Sequence, residues 1–196
     1  MTSDAGLLLP RELDERLGLG ALIERHLTDP RTGRNFQFAL PDLFRQSIYS
    51  RLAGYEDTND AERVSEDRTF RMLASRERRA TSVALTSTLH WFETEALAQE
   101  RNYRGLLRLN TDLVQHEVTR PSIRRVTLHI DSSESPVHGA QEQSAYNGHF
   151  ESVCYHPLFA FNHEGDCLAA TLRSGKVHSA DGWEKVLLPV IDRVRA

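Results

Sequence analysis

The sequence predicts an α+β fold, in which a helical region over residues 1–120 precedes a β-β-β-α unit over residues 121–196. Two observations predict this order. Apolar residues recur every three or four positions through most of the first region, as one face of a helix requires. After Pro121 the pattern changes to short runs rich in β-branched and aromatic residues, separated by polar turns, which is typical of strands. A length of 196 residues suits one domain or two small ones.

Helix boundaries in the first region follow from proline, glycine and capping residues. Pro10 and Pro41 each begin a helix, since proline is tolerated in the first turn, where its missing N–H costs nothing. Residues 59–62 resemble a capping box, with an asparagine three positions before a glutamate, and predict a further short helix. A long helix is predicted over residues 85–118, with Gly105 as a candidate interruption.

Three strands are predicted in the second region. The first covers residues 126–130 and ends at Asp131, where a polar loop begins. The second covers residues 153–161, in which Pro157 indicates an edge position or a bulge. The third covers residues 167–172 and forms a hairpin with the second, because only a short polar turn separates them.

A final helix follows the three strands. Ser179 is its predicted N-terminal cap, and Pro189 is expected to bend or shorten it. The two cysteines, Cys154 and Cys167, fall in neighbouring predicted strands. In a chain without an export signal they are expected to be free thiols.

The charge is distributed unevenly along the chain. The net charge of −4 gives no overall signal for nucleic acid, but residues 31–125 hold 16 basic and 13 acidic side chains, a net charge of +3. Arginine supplies all but two of the basic residues, and its planar guanidinium suits bidentate contacts with phosphate. Two explanations stay open at this point, a phosphate-binding surface and a genome whose base composition favours arginine codons.

No stretch of the sequence approaches the roughly 20 apolar residues that a membrane helix needs. The N-terminus also lacks the basic segment and apolar core of a signal peptide. The sequence therefore predicts a soluble, cytoplasmic protein that does not contact membranes.

Asp131 is the most informative candidate residue. It lies where an apolar strand meets a polar loop, and strand ends of α/β sheets project side chains into active sites. A carboxylate there suits a hard divalent cation, although an aspartate at the end of a strand is more often a turn or capping residue. A zinc site is the weaker interpretation, because the spacing of the nearby histidines and cysteines matches no compact pattern of ligands.

Residues 128–139, LHIDSSESPVHG, resemble the first catalytic-aspartate motif of bacterial insertion-sequence transposases of the DDE class, in the branch of the IS-thirteen-eighty type. The similarity extends over nearly the whole chain in the expected order. It continues through residues 141–142, 144–150, 154–158, 165–166, 173 and 177–183, and upstream through residues 49–57, 59–60, 85–89 and 92–93.

The resemblance implies a ribonuclease-H-like catalytic core behind a helical, DNA-binding region. In this family three acidic residues, Asp, Asp and Glu, hold two divalent ions, Mg²⁺ or Mn²⁺. The paired ions support in-line cleavage of a phosphodiester and strand transfer at insertion-sequence ends. Asp131 corresponds to the first of the three acids and is thereby both the predicted catalytic residue and the predicted metal ligand.

The resemblance also implies that the catalytic core is incomplete. The chain ends at Ala196, in or just after the final predicted helix, whereas the family places its second Asp and its Glu beyond that point. We therefore expect a truncated form that does not cleave DNA alone, since one carboxylate is a poor site for two ions.

The alternative function is a non-catalytic module that binds DNA or pairs with a transposase, and so regulates transposition. Its expected ligand is the terminal repeats of the insertion sequence, which would place the chain on the nucleoid. Its expected protein partners are a second copy or a full-length transposase. The predicted DNA contacts belong to the net-positive middle segment, where a solvated helical face is the competing explanation. They are Arg45, Arg51, Arg68 and Arg71, with Arg76, Arg78 and Arg79 beside them.

Overall fold

The computed structural model describes residues 4–33, 36–75, 82–117 and 125–195. The chain forms two compact units, residues 1–116 and residues 117–196. The first unit is helical and the second contains six strands and a helix in its described part, so the predicted α+β class is confirmed.

The helical unit contains seven α-helices within its described residues. They are α1 (Leu8–Leu17), α2 (Leu19–His26), α3 (Leu40–Leu52), α4 (Ala61–Glu66), α5 (Arg68–Ala74), α6 (Thr86–Trp91) and α7 (Glu100–Glu117). A single π-helical turn, Phe92–Ala96, follows α6. Side chains from α2, α3, α6 and α7 form the larger buried cluster, in which Ile23, Leu43 and Phe92 are fully buried. A smaller cluster is centred on Phe70 of α5.

Three local predictions in this unit need correction. The predicted helix over residues 85–118 is divided into α6, the π-helical turn and α7, with a break over residues 97–99. The capping box over residues 59–62 does not form, because the Asp57 side chain accepts the Asn59 N–H at 2.9 Å and begins a 3₁₀ turn, Thr58–Asp60. Gly105 does not interrupt α7. It lies inside the helix and faces the carbonyl oxygen of His26 at the end of α2, where no larger residue would fit.

The second unit has two small antiparallel sheets. Its strands are β1 (Leu128–Ser132), β2 (Ser135–Pro136), β3 (Ala145–Asn147), β4 (Ser152–Tyr155), β5 (Leu158–Asn162) and β6 (Cys167–Thr171). One sheet has the order β1-β5-β6, and the other has the order β2-β4-β3. The predicted hairpin between the second and third strands is present as β5 and β6.

The predicted strand over residues 153–161 is in fact two strands that belong to different sheets. The chain leaves β4 after Tyr155 and enters β5 at Leu158. Pro157 lies in the break, since it has no N–H to donate to a neighbouring strand. For the same reason Cys154 and Cys167 lie in different sheets rather than in neighbouring strands, and both are free thiols.

The last helix, α8 (Trp183–Arg195), covers the larger sheet. Val186 and Val190 of α8 are buried with Leu158 and Ala160 of β5 and Ala169 of β6. This apolar contact holds the unit together, because burial of each valine side chain contributes roughly 2 kcal/mol. One end prediction changes here. The helix begins at Trp183 rather than after a cap at Ser179, and Pro189 lies inside it, as the sequence predicted.

Candidate active site and histidine cavity

Asp131 lies on β1, opposite Phe159 of β5, rather than in the loop after the strand. Its side chain is exposed, and one carboxylate oxygen accepts the Ser132 N–H at 2.8 Å. Strand β1 pairs only with β5 in the described sheet, so it is an edge strand. The carboxylate is therefore accessible to a ligand from solvent.

Asp131 lines a shallow cavity of about 350 Å³ between β1 and the start of α8. Trp183 and Ser179 form the other side of this cavity, with Leu158 at its base. The cavity brings a carboxylate, a hydroxyl group and an indole ring together on one surface. A carboxylate and a hydroxyl group are hard oxygen donors of the kind that Mg²⁺ and Mn²⁺ prefer.

The residues around Asp131 do not fit a site for two metal ions. Glu134, the nearest acidic residue along the chain, accepts a hydrogen bond from Ser152 of β4. Asp181 is likewise engaged, since its carboxylate accepts the His178 N–H at 2.9 Å. Within the described ranges, no three His, Cys, Asp or Glu side chains are grouped so that they could hold a metal ion. The side chains present therefore support no catalytic step through a metal.

Arg45 needs correction as a predicted DNA contact. It is only 4% exposed and belongs to a buried cluster with Asp14, Tyr49 and Arg11. Its Nε and Nη2 donate to the two carboxylate oxygens of Asp14 at 2.7 and 3.0 Å. A guanidinium that is enclosed in this way supports the packing of α1 against α3 and does not reach a ligand outside the fold.

The other arginines that were predicted to contact DNA differ in how accessible their guanidinium groups are to a phosphate. Arg51 is half exposed and forms a bidentate pair with Glu93, at 2.8 and 2.9 Å, so a phosphate would have to displace that carboxylate. Arg71 donates to the carbonyl oxygens of Ser65 and Glu66 at the end of α4.

Arg68 is exposed at the start of α5, and it forms no ion pair with any residue that the structure describes. Of the predicted DNA contacts it is the one whose guanidinium is most available. Arg76, Arg78 and Arg79 lie outside the described residues.

A second cavity in the same unit was not predicted from the sequence. It has a volume of about 500 Å³ and lies between the β3–β4 turn and the segment after β6. Three histidines and a lysine line it: His149, His156, His178 and Lys176. From the sequence, two of these histidines, His149 and His156, suggested only a zinc site, which their spacing did not support. The cavity was not predicted, because the approach of these side chains depends on how the two segments fold together.

Asn147 and Gly175 hold the walls of this histidine cavity together. The Asn147 side chain donates to the Gly175 carbonyl oxygen at 2.7 Å, and its own oxygen accepts the His149 N–H at 2.9 Å. Gly175 lies so close to β3 and β4 that a Cβ atom would meet the Cys154 carbonyl oxygen at 2.5 Å. Only glycine allows this approach.

Arg173 organises the segment that forms the outer wall. Its Nε donates to the His156 carbonyl oxygen at 2.8 Å, and its Nη1 donates to the Asp181 carbonyl oxygen at 2.6 Å. Burial lowers the pKa of Arg173 below its ordinary value, although the charge of Asp181 acts in the opposite direction. The guanidinium therefore joins the connection between β4 and β5 to the loop before α8.

The described part of the chain contains no helix that is both long enough and apolar enough to cross a membrane.

Comparison with known proteins identifies a family. A family model described as transposase DDE domain group 1 matches residues 1–196, which is the whole chain. No curated protein and no solved structure matches the chain.

Proposed function

The chain belongs to the family of transposases with a group 1 DDE domain, and from this premise we propose that it binds the terminal repeats of an insertion sequence of the IS-thirteen-eighty type. Transposases of this family act on DNA and use divalent metal ions. The observation that carries the proposal is the family match over residues 1–196, and the exposed guanidinium of Arg68 on α5 provides a cationic group that suits phosphate.

The proposed architecture is a ribonuclease-H-like core in the second unit, with Asp131 as the first of its catalytic acids. Three antiparallel strands in the order β1-β5-β6, covered by α8, support this assignment. The first acid then lies on the edge strand β1, which leaves one side of that strand open for pairing with a further strand.

We expect this chain by itself to bind DNA without cutting it. One carboxylate in the Asp131 cavity does not provide the ligands that two divalent ions need. The measurement is incubation of the purified chain with a labelled duplex carrying the terminal repeats, in the presence of Mg²⁺ or Mn²⁺. No cleavage is expected. Cutting that Asp131→Ala abolishes would contradict this prediction and assign catalysis to the chain alone.

DNA binding is proposed to involve the exposed arginines of the helical unit, Arg68 first among them. Arg68→Gln is expected to weaken binding of the terminal-repeat duplex and to reduce the slope of log K against log[salt] by about 0.9, the contribution of one phosphate contact. The measurement is fluorescence anisotropy across a salt series.

The matched control for Arg68 is Arg16→Gln. Arg16 is also an exposed helical arginine, but it lies on α1 and pairs with Glu12 at 3.3 Å. An equal effect of the two substitutions would show general electrostatic attraction rather than a contact at Arg68. If the anisotropy of the labelled duplex does not rise on addition of the chain even at low salt, DNA binding is refuted.

Pairing with a second copy of the chain or with a full-length transposase is part of the same proposal. The open side of β1 supports it, because an unpaired strand edge presents hydrogen-bonding groups to another chain. A chain that remains monomeric in sedimentation at all accessible concentrations, alone and on DNA, would contradict pairing between copies.

A further inference from the structure

We propose that a cavity beside Arg71 in the helical unit, the Arg71 cavity, binds one phosphate group of the DNA backbone. This inference rests on the proposed function, since it takes the terminal-repeat duplex as the ligand. The cavity has a volume of about 350 Å³ and lies between the end of α4, helix α5 and the start of α6. The proposal assigns a role to hydroxyl side chains around Arg71 that the sequence did not single out.

Arg71 carries the central observation, because one edge of its guanidinium has no partner. Its Nη1 donates to the carbonyl oxygens of Ser65 and Glu66, at 2.7 and 3.2 Å, at the end of α4. Nε is buried without a hydrogen-bond partner, and Nη2 forms no hydrogen bond or ion pair with any residue that the structure describes. The N–H groups of Nε and Nη2 are parallel and form the edge with which arginine binds two oxygens at once.

Two other arginines of the same unit show what this edge binds. Arg45 donates from Nε and Nη2 to the two carboxylate oxygens of Asp14, at 2.7 and 3.0 Å. Arg31 donates from the same two nitrogens to Asp29, at 2.9 and 2.5 Å. No carboxylate among the described residues takes that place at Arg71, so its charge is available to an anion from outside the fold. Binding requires no change of protonation, because a guanidinium always carries its hydrogens.

The other polar groups of the Arg71 cavity also suit phosphate oxygens. Ser82, Ser87 and Thr88 line it, and their hydroxyl groups form no hydrogen bond with any described residue. No carboxylate is found among the described residues of this lining. Asp42 lines a smaller cavity beside it, but that carboxylate is paired with Arg45 at 3.9 Å. Arginine and hydroxyl side chains are among the groups that contact DNA phosphates.

The position of Arg68 favours the DNA backbone as the source of the phosphate. Arg68 and Arg71 lie three positions apart on α5, and Cβ atoms at this spacing are about 5–6 Å apart on one face of a helix. Arg68 is exposed and has no ion-pair partner in the part of the chain that the structure describes. A strand with one phosphate in the Arg71 cavity therefore brings a neighbouring phosphate towards Arg68, whereas a free anion would occupy the cavity alone.

The first experiment removes one hydroxyl group from the cavity. Thr88→Val keeps the shape of the side chain and breaks no hydrogen bond within the described fold. It is expected to weaken binding of the terminal-repeat duplex about tenfold, because a hydrogen bond to a charged phosphate is lost. The slope of log K against log[salt] is expected to stay unchanged, since no charge is removed. Fluorescence anisotropy across a salt series measures both quantities.

The matched control is Thr94→Val. Thr94 is exposed in the π-helical turn after α6, outside the cavity lining, and its hydroxyl donates to the His90 carbonyl oxygen at 2.9 Å. This substitution is expected to leave duplex binding unchanged. Equal effects of the two substitutions, or no effect of Thr88→Val on a duplex that still binds, would overturn the Arg71 cavity as a phosphate site and leave DNA binding itself intact.

The second experiment observes Arg71 in the unsubstituted chain, so it does not depend on a variant that folds. The Nε–H resonance of Arg71 is expected to shift when the duplex binds, because Nε gains an acceptor. An unshifted resonance on a chain that has bound the duplex would overturn the proposal. The same shift with inorganic phosphate at the concentration of duplex phosphates would show a site for the free anion and overturn the assignment to DNA. A chain that does not bind the duplex at all would refute the proposed function, and the assignment to DNA with it.

Discussion

Asp14→Ala is expected to lower the free energy of unfolding of the helical unit by about 3–5 kcal/mol, because it removes one partner from a buried ionic cluster. The Asp14 carboxylate accepts hydrogen bonds from Arg45, Tyr49 and Arg11, at distances of 2.6 to 3.2 Å. All four side chains are buried. Without the carboxylate, the two guanidiniums would lose the negative charge that lies between them in the interior. A loss of this size approaches the whole stability of an ordinary domain.

Urea denaturation followed by circular dichroism measures this loss. The control is Glu12→Ala, which removes an exposed partner of Arg16 on the same helix and is expected to change stability by less than about 0.5 kcal/mol. A similar small change for Asp14→Ala would show that the buried cluster does not stabilise the unit.

The same cluster predicts how stability depends on pH. Burial raises the pKa of Asp14, but hydrogen bonds from Arg45 and Tyr49, with the charges of Arg45 and Arg11, outweigh it, so the pKa lies below its ordinary value. The contribution of Asp14 to the free energy of unfolding is therefore present above about pH 3.9, the pKa of an aspartate in the unfolded chain. It is lost as the pH falls through the pKa of Asp14 in the folded chain.

Tyr49 gives the opposite dependence at alkaline pH. Burial, and then the hydrogen bond to Asp14, raise the pKa of Tyr49 well above its ordinary value. Its contribution to the free energy of unfolding is present in full below about pH 10, the pKa of a tyrosine in the unfolded chain. The contribution is lost as the pH rises through the pKa of Tyr49 in the folded chain. Tyr49→Phe should remove this alkaline loss and retain the acid loss, which separates the two groups.

Gly105→Ala is expected to destabilise the helical unit by about 2–3 kcal/mol, although alanine favours an isolated helix over glycine by about 1 kcal/mol. An added Cβ atom would overlap the carbonyl oxygen of His26 and approach Leu27 Cδ2 to 3.0 Å. Helix α7 cannot easily withdraw, because Asn102 bonds to both the N–H and the carbonyl of Thr28, at 2.8 and 2.9 Å.

The matched control for Gly105 is Gly6→Ala in the 3₁₀ turn Asp4–Leu7. A Cβ atom there would have no neighbouring atom within 4 Å, so the substitution is expected to leave stability unchanged or to raise it by up to about 1 kcal/mol. Thermal unfolding measures both variants. If Gly105→Ala unfolds at the same temperature as the unsubstituted chain, the close contact between α7 and the end of α2 does not constrain the fold.

The site predictions differ in how far apart along the chain the residues that decide them lie. The motif around Asp131 is contiguous, so neighbouring residues along the chain were enough to single out that carboxylate. The role of Arg45 could not be predicted in the same way, because its partner Asp14 is 31 positions away and meets it only when α1 packs against α3. An arginine in a net-positive segment was therefore predicted to face DNA, whereas the fold encloses it.

The strand predictions also divide into those that local sequence signals supported and one that depended on pairing between distant strands. Hydrophobic alternation and turn residues located the hairpin of β5 and β6, because both signals are local. The division of residues 153–161 between two sheets was indicated only by Pro157, which was assigned to an edge or a bulge. Which sheet each half joins depends on pairing with β2 and β3 on one side and with β1 and β6 on the other.

The sequence by itself determined the α+β order and the transposase family and singled out Asp131 as a candidate acid, since each follows from periodicity or from a contiguous motif. The tertiary structure alone decided that Arg45 is buried, that Gly105 permits a helix contact, and that His149, His156 and His178 line one cavity. The physical reason is that burial and the pairing of polar groups depend on which distant segments meet. Segment contacts are set by the packing of the whole unit and not by neighbours along the chain.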